Sequence, residues 1–492
     1  MTKNISRRDF LKSSAVTALG LAATTMLTGC SSNNEPTETN EPTFDETVEY
    51  LVLGGGIGGL SSAIEAVDNG CKSVLIVEKQ GYVGGAAVVS GGILGGYDTE
   101  IAKKHNVSVT VDQLYEEQMR EKKYILDPEL TRLTIEKSKD TIEWLMNTIG
   151  VPFKDEVVQK DGYGTYQAIH LVDGEGHAMR EPLEAAIAAR PEIEIRLKTR
   201  AKKLITNDEG DVLGAIITQE DGTEKKIGAK AVLVATGGFN ANHDLFVSTH
   251  PANRVFQTSL MAGSTGDGLI MATEVGAGTN SLDQLQVYLR EYNNPTSQTP
   301  YMYTIFVGTD GKRFMDEKRT AQTYNQEIKD DVIAEYGKTG VDYFYSIADE
   351  ASLAMMGIAD AAKDHVGVIY ANTLEELAEK ASINKENFVA EIAKWNTFAA
   401  NQKDDDFNRN TFWFPISTGP YYALQTTWFS SVCHGGITKN ANAQVTRFDG
   451  SVIKNLYACG EVCVVTNSNG YTISNAITFG RIAAQHVMSQ IK

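Results

Sequence analysis

The stretch from Tyr50 to Lys79 reads YLVLGGGIGGLSSAIEAVDNGCKSVLIVEK, and it decides the fold of this chain. An apolar run that ends at Leu53 leads into three glycines with the spacing G-x-G-x-x-G. A helical pattern and a second apolar run follow, and the second run ends at Glu78, about 20 residues beyond the glycines. This order predicts a strand, a helix and a parallel strand that bind a dinucleotide. FAD and NAD share the pattern, which therefore does not decide between them.

Each part of this segment has a physical task. Gly54 permits the tight turn out of the strand, Gly56 lets the backbone approach a pyrophosphate, and Gly59 lets the helix pack on the sheet. The N–H groups at the start of the helix are available to phosphate oxygens. Glu78 is placed to accept the ribose hydroxyls.

The composition of the chain bounds its class. At 492 residues with 42% hydrophobic content, it is long enough for a large core and for more than one domain. The formal charge is -18, and because residues 1–29 carry +3, the part from Cys30 onward carries -21. So acidic a surface repels nucleic acid and predicts that none is bound. The five cysteines form no C-x-x-C-H sequence, so the chain has no c-type haem attachment motif.

The first thirty residues indicate export rather than fold. The segment Ser6 to Lys12 reads SRRDFLK, a twin-arginine pattern, and an apolar stretch from Ala15 to Leu27 follows it. That stretch is too short for a stable membrane span. It ends in LTGC, which resembles a bacterial lipobox and predicts lipidation of Cys30; a plain cleaved signal is the alternative. We expect export by the twin-arginine route and a lipid anchor on the extracytoplasmic face of the cell membrane.

Periodicity predicts the elements that follow. A helix is expected over Asp127 to Ile149, and another near the C-terminus over Ser474 to Met488. Four strands are expected, with a hairpin turn at Glu220–Gly222 between the last two: Ile193–Leu197, Lys203–Ile205, Val212–Thr218 and Lys225–Ala235. From Leu282 to about His434 the chain becomes richer in Tyr, Asn, Thr and charge, which indicates an inserted second domain. Its predicted helices lie near Asp349–Met356, Leu374–Ser382 and Lys385–Asn401.

Motifs spread along the chain resemble one family, the flavoproteins of fumarate reductase and succinate dehydrogenase. The exported branch, with flavocytochrome fumarate reductases, urocanate reductase and 3-ketosteroid dehydrogenases, is the most similar. The resemblance covers about residues 47–492, and its motifs are GGGIGG with Glu78, SGGI at Ser90–Ile93, VATGGF at Val234–Phe239, STGDG at Ser264–Gly268, DGKRFMDE at Asp310–Glu317, HGGI at His434–Ile437, and LYACGE with ITFGRIA.

The resemblance implies an α/β fold of the two-dinucleotide-binding type. A Rossmann-like FAD-binding domain (47–282 and 435–492) is interrupted by an α+β capping domain (283–434), after a Tat-type lipoprotein signal (1–29) and a flexible linker (30–46). It implies FAD, bound non-covalently, rather than NAD. The predicted FAD-contacting residues are Gly54, Gly56, Ile57, Gly58, Gly59, Glu78, Lys79, Gly84, Gly85, Ala86, Ser90, Gly91, Gly92, Ala235, Thr236, Gly237, Gly238, Asp267, Gly460, Glu461, Ile473 and Ser474.

The chain departs from the family where the family grips dicarboxylates. The donor arginine that follows the DGKRFMDE segment is replaced by Ala321, with Arg319 two residues away. One clamp histidine is replaced by Tyr288 and another by Val432, with His434 two residues on. No arginine lies between Glu461 and Arg481, so the clamp arginine of that loop is missing. Bidentate carboxylate recognition needs the guanidinium fork, and its loss argues against a small dicarboxylate.

Aromatic and hydroxyl side chains replace these groups. We predict catalytic roles for Arg319, Tyr301, Tyr303, Tyr471 and His434. Predicted substrate contacts are Tyr288, Arg290 as a candidate for a monocarboxylate, Tyr292, Asn467 and Gly470. A tyrosine in a tyrosine-rich domain is more often a packing residue, and Arg319 is more often a solvated charge.

The predicted activity is reduction of a C=C bond conjugated to a carbonyl, in an aryl acrylate, enone or steroid-like compound. The resemblance implies hydride transfer from flavin N5 and a proton from an acid on the other face. Such an enzyme would act as a respiratory electron sink, and its electrons would come from a separate cytochrome, flavoprotein or quinone-linked donor. Alternatives are a 3-ketosteroid-type dehydrogenase running in the oxidative direction, a fumarate-type reductase with Arg319 as a displaced donor, and a binding protein with an inert flavin fold.

Overall fold

The computed structural model describes residues 42–122, 124–158, 166, 168–258, 261–292, 294, 299, 303–318, 326–463 and 470–491. The described residues from Thr43 onward belong to one compact unit, Thr43–Lys492. The predictions for Cys30, Arg319, Tyr301 and Asn467 lie outside the described residues.

Strands are numbered in chain order. They are β1 Glu46–Leu53, β2 Val74–Val77, β3 Ile93–Gly95, β4 Ile169–Leu171, β5 Ile193–Arg196, β6 Arg200–Thr206, β7 Val212–Thr218, β8 Glu224–Val234, β9 Thr279–Asn280, β10 Leu285–Glu291, β11 Ile305–Val307, β12 Phe344–Asp349, β13 Val368–Ala371, β14 Tyr421–Cys433, β15 Gly436–Ile437, β16 Gln444–Thr446 and β17 Val452–Ala458.

Helices are numbered in the same way. They are α1 Ile57–Asp68, α2 Glu100–Lys104, α3 Val111–Glu121, α4 Pro128–Trp144, α5 Arg180–Ala188, α6 His243–Thr249, α7 Asp267–Glu274, α8 Gln326–Thr339, α9 Glu350–Met355, α10 Ala359–Asp364, α11 Leu374–Lys380, α12 Lys385–Asn401 and α13 Thr472–Gln490. Among the described residues, no helix is both long enough and apolar enough to cross a bilayer.

The larger sheet carries the nucleotide-binding pattern. Its strand order is β16-β17-β8-β1-β2-β5, and β7 joins β8 on one side and β6 on the other. The strands β17, β8, β1, β2 and β5 run parallel, and the quoted segment supplies β1, α1 and β2. Strand β2 (VLIV) is buried along its whole length, as expected for a parallel strand covered on both faces. Helix α13 packs closely on α1 and covers one of those faces.

The second sheet is antiparallel and lies in the predicted capping region. Its order is β10-β14-β12-β11, and β13 also pairs with β14. Strand β14 is the longest of these, and it runs from Tyr421 to Cys433, beside the point at which the chain returns to the larger sheet. One buried apolar cluster holds residues of both sheets, including Val232 on β8 and Trp428 on β14. The two sheets therefore share a core.

Most of the predicted elements are confirmed. Strand β7 and helix α12 have the predicted bounds, and β5, β6, β8, α9, α11 and α13 differ at their ends by a few residues. The helix expected from Asp127 begins at Pro128, with the Asp127 side chain accepting the N–H of Leu130, and its last turn from Leu145 to Ile149 is a π-helix. The hairpin at Glu220–Gly222 joins the antiparallel strands β7 and β8.

Candidate active site

A cleft lies at the carboxyl ends of β1, β2 and β8. Eleven of the predicted FAD residues line it: Gly54, Gly56, Glu78, Lys79, Gly85, Ala86, Ala235, Thr236, Gly237, Asp267 and Glu461. The others lie outside this lining: Ile57, Gly58, Gly59, Gly84, Ser90, Gly91, Gly92, Gly238, Gly460, Ile473 and Ser474. This edge of a parallel sheet is the usual place for a nucleotide.

The glycine turn has the shape that the sequence requires. Gly54 has φ +113°, and a Cβ added there would lie 2.4 Å from the carbonyl oxygen of Ala235. At Gly56 a Cβ would meet no protein atom closer than 3.9 Å, although the residue lines the cleft. The open space in front of Gly56 therefore fits a pyrophosphate placed against the start of α1.

Two acids in the wall of the cleft are held in fixed positions. The Glu78 carboxylate accepts hydrogen bonds from the backbone N–H of Gly55, at 2.8 Å, and of Gln80, at 2.7 Å. Asp267 forms a two-pronged ion pair with Arg200, at 2.9 and 2.8 Å, and a second ion pair with Lys79. Burial alone would raise the pKa of Asp267, but the hydrogen bond from Arg200 and the charge of Lys79 lower it overall.

Glu461 connects the cleft to the second sheet. Its half-buried carboxylate accepts the backbone N–H of Cys433, the last residue of β14, at 2.9 Å. Burial raises the pKa of Glu461 to about 7, although the hydrogen bond from Cys433 acts in the opposite direction. This side chain is therefore close to its titration point at neutral pH, at the wall of the cleft.

His434 follows Cys433 directly, and the charges of two buried lysines act on its imidazole. Its backbone N–H donates to the carbonyl of Gln284 at 2.9 Å, and the neighbouring carbonyl of Asp283 accepts the Lys329 ammonium. Burial lowers the pKa of His434 far below its usual value, and the charges of Lys122 and Lys329 lower it further. His434 is therefore a neutral imidazole at pH 7, suited to hydrogen bonding.

Both lysines are themselves buried, with 6% of Lys122 and 4% of Lys329 exposed. Burial lowers the pKa of each, because the ammonium form loses its hydration. Lys122 caps helix α3, and Lys329 belongs to α8. Two lysines from distant parts of the chain therefore lie within electrostatic range of His434.

Tyr471 packs against helix α3. Its ring packs with Leu114 and Ile135 and lies against Gly95. Within the described part of the chain, its buried hydroxyl has no hydrogen-bond partner. Burial raises the pKa of Tyr471, and the negative charge of Glu117 on α3 adds to the effect. The phenol is therefore protonated at neutral pH, as a proton donor must be.

The remaining predicted residues have other neighbours. Gly470 accepts the N–H of Gly95 through its carbonyl. Tyr288 lies opposite Phe429 across β10 and β14, and the Arg290 guanidinium lies 5.1 Å from the Tyr288 ring centre.

Two of the predicted tyrosines make contacts within the capping region. Tyr292 donates to Asp342 at 2.9 Å, and the Tyr303 ring packs edge-on against Phe412 and Phe414. A catalytic role for Tyr303 thus stays a prediction, and its observed contact is aromatic packing.

Sequence reasoning missed several residues of the site. The cleft is also lined by Val77, Gln80, Tyr82, Thr199, Ala201, Met261, Gly263 and Ser264. Ser264 stands in the STGDG motif before Asp267, and Gly263 directly precedes that motif. Gln80 and Tyr82 follow Glu78 within four residues. Their proximity to a motif could have identified all four. Lys122, Lys329 and Glu117 stand in no motif, and only the fold shows that they are buried.

A flavin-dependent oxidoreductase is the class of protein that this cleft and fold define. The family profile described as FAD binding domain matches residues 49–475, and the chain belongs to that family. Residues 4–24 match the TAT (twin-arginine translocation) pathway signal sequence, which confirms export by that route. Attachment of lipid at Cys30 stays a prediction.

Relatives of known activity support the class. The chain is 28% identical to fumarate reductase (cytochrome) of Shewanella frigidimarina, across 91% of this chain and 78% of that protein. It is 26% identical to vinyl phenol reductase of Lactiplantibacillus plantarum, across 90% of this chain and 98% of that protein. The fold matches the open conformation of a flavocytochrome c3 fumarate reductase with a TM-score of 0.77 at 23% identity, across 99% of this chain and 82% of that one. The protein is thus an exported, FAD-dependent reductase of C=C bonds.

Proposed function

We propose that the substrate is an α,β-unsaturated carbonyl compound with one carboxylate and an apolar remainder, which favours the aryl acrylate among the predicted classes. The observation that carries this proposal is the pair of buried lysines, Lys122 and Lys329, beside His434. Burial penalises the ammonium form of each lysine, and a carboxylate bound next to them would offset that penalty.

The rest of the site supports the same substrate. Tyr288 and Phe429 lie side by side on the neighbouring strands β10 and β14. Their aromatic rings offer a surface on which the ring of the substrate can pack. When bound, FAD supplies the hydride that is added to the double bond. His434 can donate a hydrogen bond to the carbonyl, and Tyr471 holds the proton that the adjacent carbon needs.

The physiological setting is part of the proposal. The enzyme would act as a respiratory electron sink at the outer face of the membrane, held there by lipid on Cys30. Its electrons would come from a separate cytochrome, flavoprotein or quinone-linked donor, because the chain contains no C-x-x-C-H haem sequence.

The experiment compares cinnamate with benzylideneacetone, which keeps the ring and the double bond but replaces the carboxylate with a ketone. Turnover is measured with reduced viologen in the FAD-loaded protein and in the variants Lys329→Met and Lys122→Met. Each variant should raise the KM for cinnamate about 10- to 100-fold, as expected for loss of a charge-assisted contact, and leave that for benzylideneacetone unchanged.

The matched control is Lys403→Met, because the Lys403 side chain is 73% exposed. This variant should change neither the KM for cinnamate nor the KM for benzylideneacetone. FAD content is measured in each variant, so that loss of fold is not mistaken for loss of substrate binding. A wild-type preference for the ketone, with no change in the cinnamate KM of the lysine variants, would overturn the proposal. Turnover of fumarate alone would do the same.

A further inference from the structure

A second cavity lies in the capping region. It has a volume of about 230 Å³, lies between one face of the antiparallel sheet and the short helices α9 and α10, and is partly open to solvent. Ala348 and Leu424 contribute to its floor, and Leu353 and Ala362 to its roof. The strand β14 that forms the floor reaches the cleft only at its other end. Tyr422, at the cavity, is separated from Cys433 by roughly 36 Å along the strand, at ~3.3 Å per residue.

The cavity exists because small residues face it. Along β12, Tyr345 and Ile347 point to the opposite face of the sheet, where they pack into a dense cluster with Trp395. Ser346 and Ala348, which alternate with them, line the cavity instead. These small side chains leave room for a ligand between this face of the sheet and the helices, where larger residues would fill the space.

The walls indicate the chemistry of that occupant. Most lining side chains are aliphatic, and Val366 and Met355 are exposed on the segments that form the roof. The ionisable side chains among the lining residues are Glu291 and His365, which hydrogen-bond to each other at 2.9 Å. An apolar molecule with one uncharged hydrogen-bonding group fits these walls better than an ion does.

We propose that this cavity is a second binding site, for a neutral single-ring aromatic compound with a hydroxyl group. An apolar cavity of roughly 150 Å³ in another protein takes up benzene, so about 230 Å³ accommodates a substituted ring. The hydroxyl lies at the end of the cavity that holds His365 and Glu291. No reaction occurs there, because the flavin cleft is too distant.

The probe is p-cresol, titrated by calorimetry into the FAD-loaded protein. We expect one saturable site, binding of toluene about 10-fold weaker because it lacks the hydroxyl, and no binding of benzoate at the same place. The flavin absorption spectrum should not change, because the ligand does not touch the flavin. A spectral change that tracks binding would place p-cresol in the cleft and overturn the proposal.

Two variants test the location. Ala362→Leu fills the cavity and should weaken p-cresol binding at least about 10-fold, while Ala354→Leu, the same change at an exposed position of α9, should not. His365→Leu keeps the core intact and should weaken p-cresol but not toluene. The site would be refuted if wild type, Ala362→Leu and His365→Leu bound p-cresol with equal affinity. It would also be refuted if the wild type showed no saturable binding.

Discussion

The backbone N–H of Cys433 donates a hydrogen bond to the carboxylate of Glu461 at 2.9 Å, and this bond joins the end of β14 to the wall of the FAD cleft. Strand β14 is thereby positioned by the flavin side of the molecule. His434 comes next in the chain, so its place beside the cleft follows from the same contact.

Glu461 should make the stability of the cofactor-free protein depend on pH. Its pKa in the folded state is about 7, against an ordinary value of 4.5, so the folded protein holds a proton that the unfolded chain releases. This contribution is present below about pH 4.5 and is lost as the pH rises through about 7. Urea midpoints near about pH 5 and about pH 8 should therefore differ less in Glu461→Gln than in wild type. Glu209→Gln, in an exposed loop, is the control; an unchanged difference in Glu461→Gln would show that burial does not raise this pKa.

Gly54→Ala should abolish FAD binding. Alanine at this position would have to adopt the positive φ of Gly54, which costs about 1–2 kcal/mol for a residue with a side chain. Its Cβ would also lie only 2.4 Å from the carbonyl oxygen of Ala235. Gly70→Ala separates the two effects, because Gly70 has φ +102° but no atom within 4 Å of its Cβ position. We expect the Gly70 variant to lose some stability and keep its flavin. Flavin absorbance of the purified proteins measures the outcome, and full occupancy in Gly54→Ala would contradict the described turn.

Tyr471→Phe should lower kcat about 100-fold or more, since it removes a proton donor and keeps the ring that packs against Gly95. Tyr370→Phe is a matched change in a ring that is 56% exposed, and it should leave kcat within about twofold. Steady-state turnover with reduced viologen, at equal FAD content, measures both. Full activity in Tyr471→Phe would move the donor role to Tyr301, Tyr303 or Arg319, which are also predicted to be catalytic.

The local elements of the nucleotide-binding region could be predicted because each has its own sequence signal. The glycine turn, the buried strands and the Glu220–Gly222 hairpin are encoded within a few residues. Strand β14 was missed because its middle is buried on both sides, and residues such as Thr426, Thr427 and Trp428 show no alternation of polar and apolar positions. The sequence therefore predicts an α+β capping domain but places only its helices, whereas an antiparallel sheet forms its centre.

The candidate site was predictable on the FAD side and much less so on the substrate side. Cofactor residues stand in motifs, since a nucleotide demands fixed backbone shapes. Lys122 and Lys329 are recognisable only from their burial, because a lysine near the end of a polar helix is normally solvated. Their position is the reason that we propose the aryl acrylate among the three predicted substrate classes.

The central claim is that this protein transfers reducing equivalents from its flavin to the double bond of an aryl acrylate. The direct measurement is anaerobic mixing of the pre-reduced, FAD-loaded protein with cinnamate, followed by flavin absorbance and product analysis. The account predicts that the flavin is reoxidised in a single turnover, with one equivalent of the saturated acid formed per flavin. Flavin that stays reduced with cinnamate but is reoxidised by fumarate would contradict it.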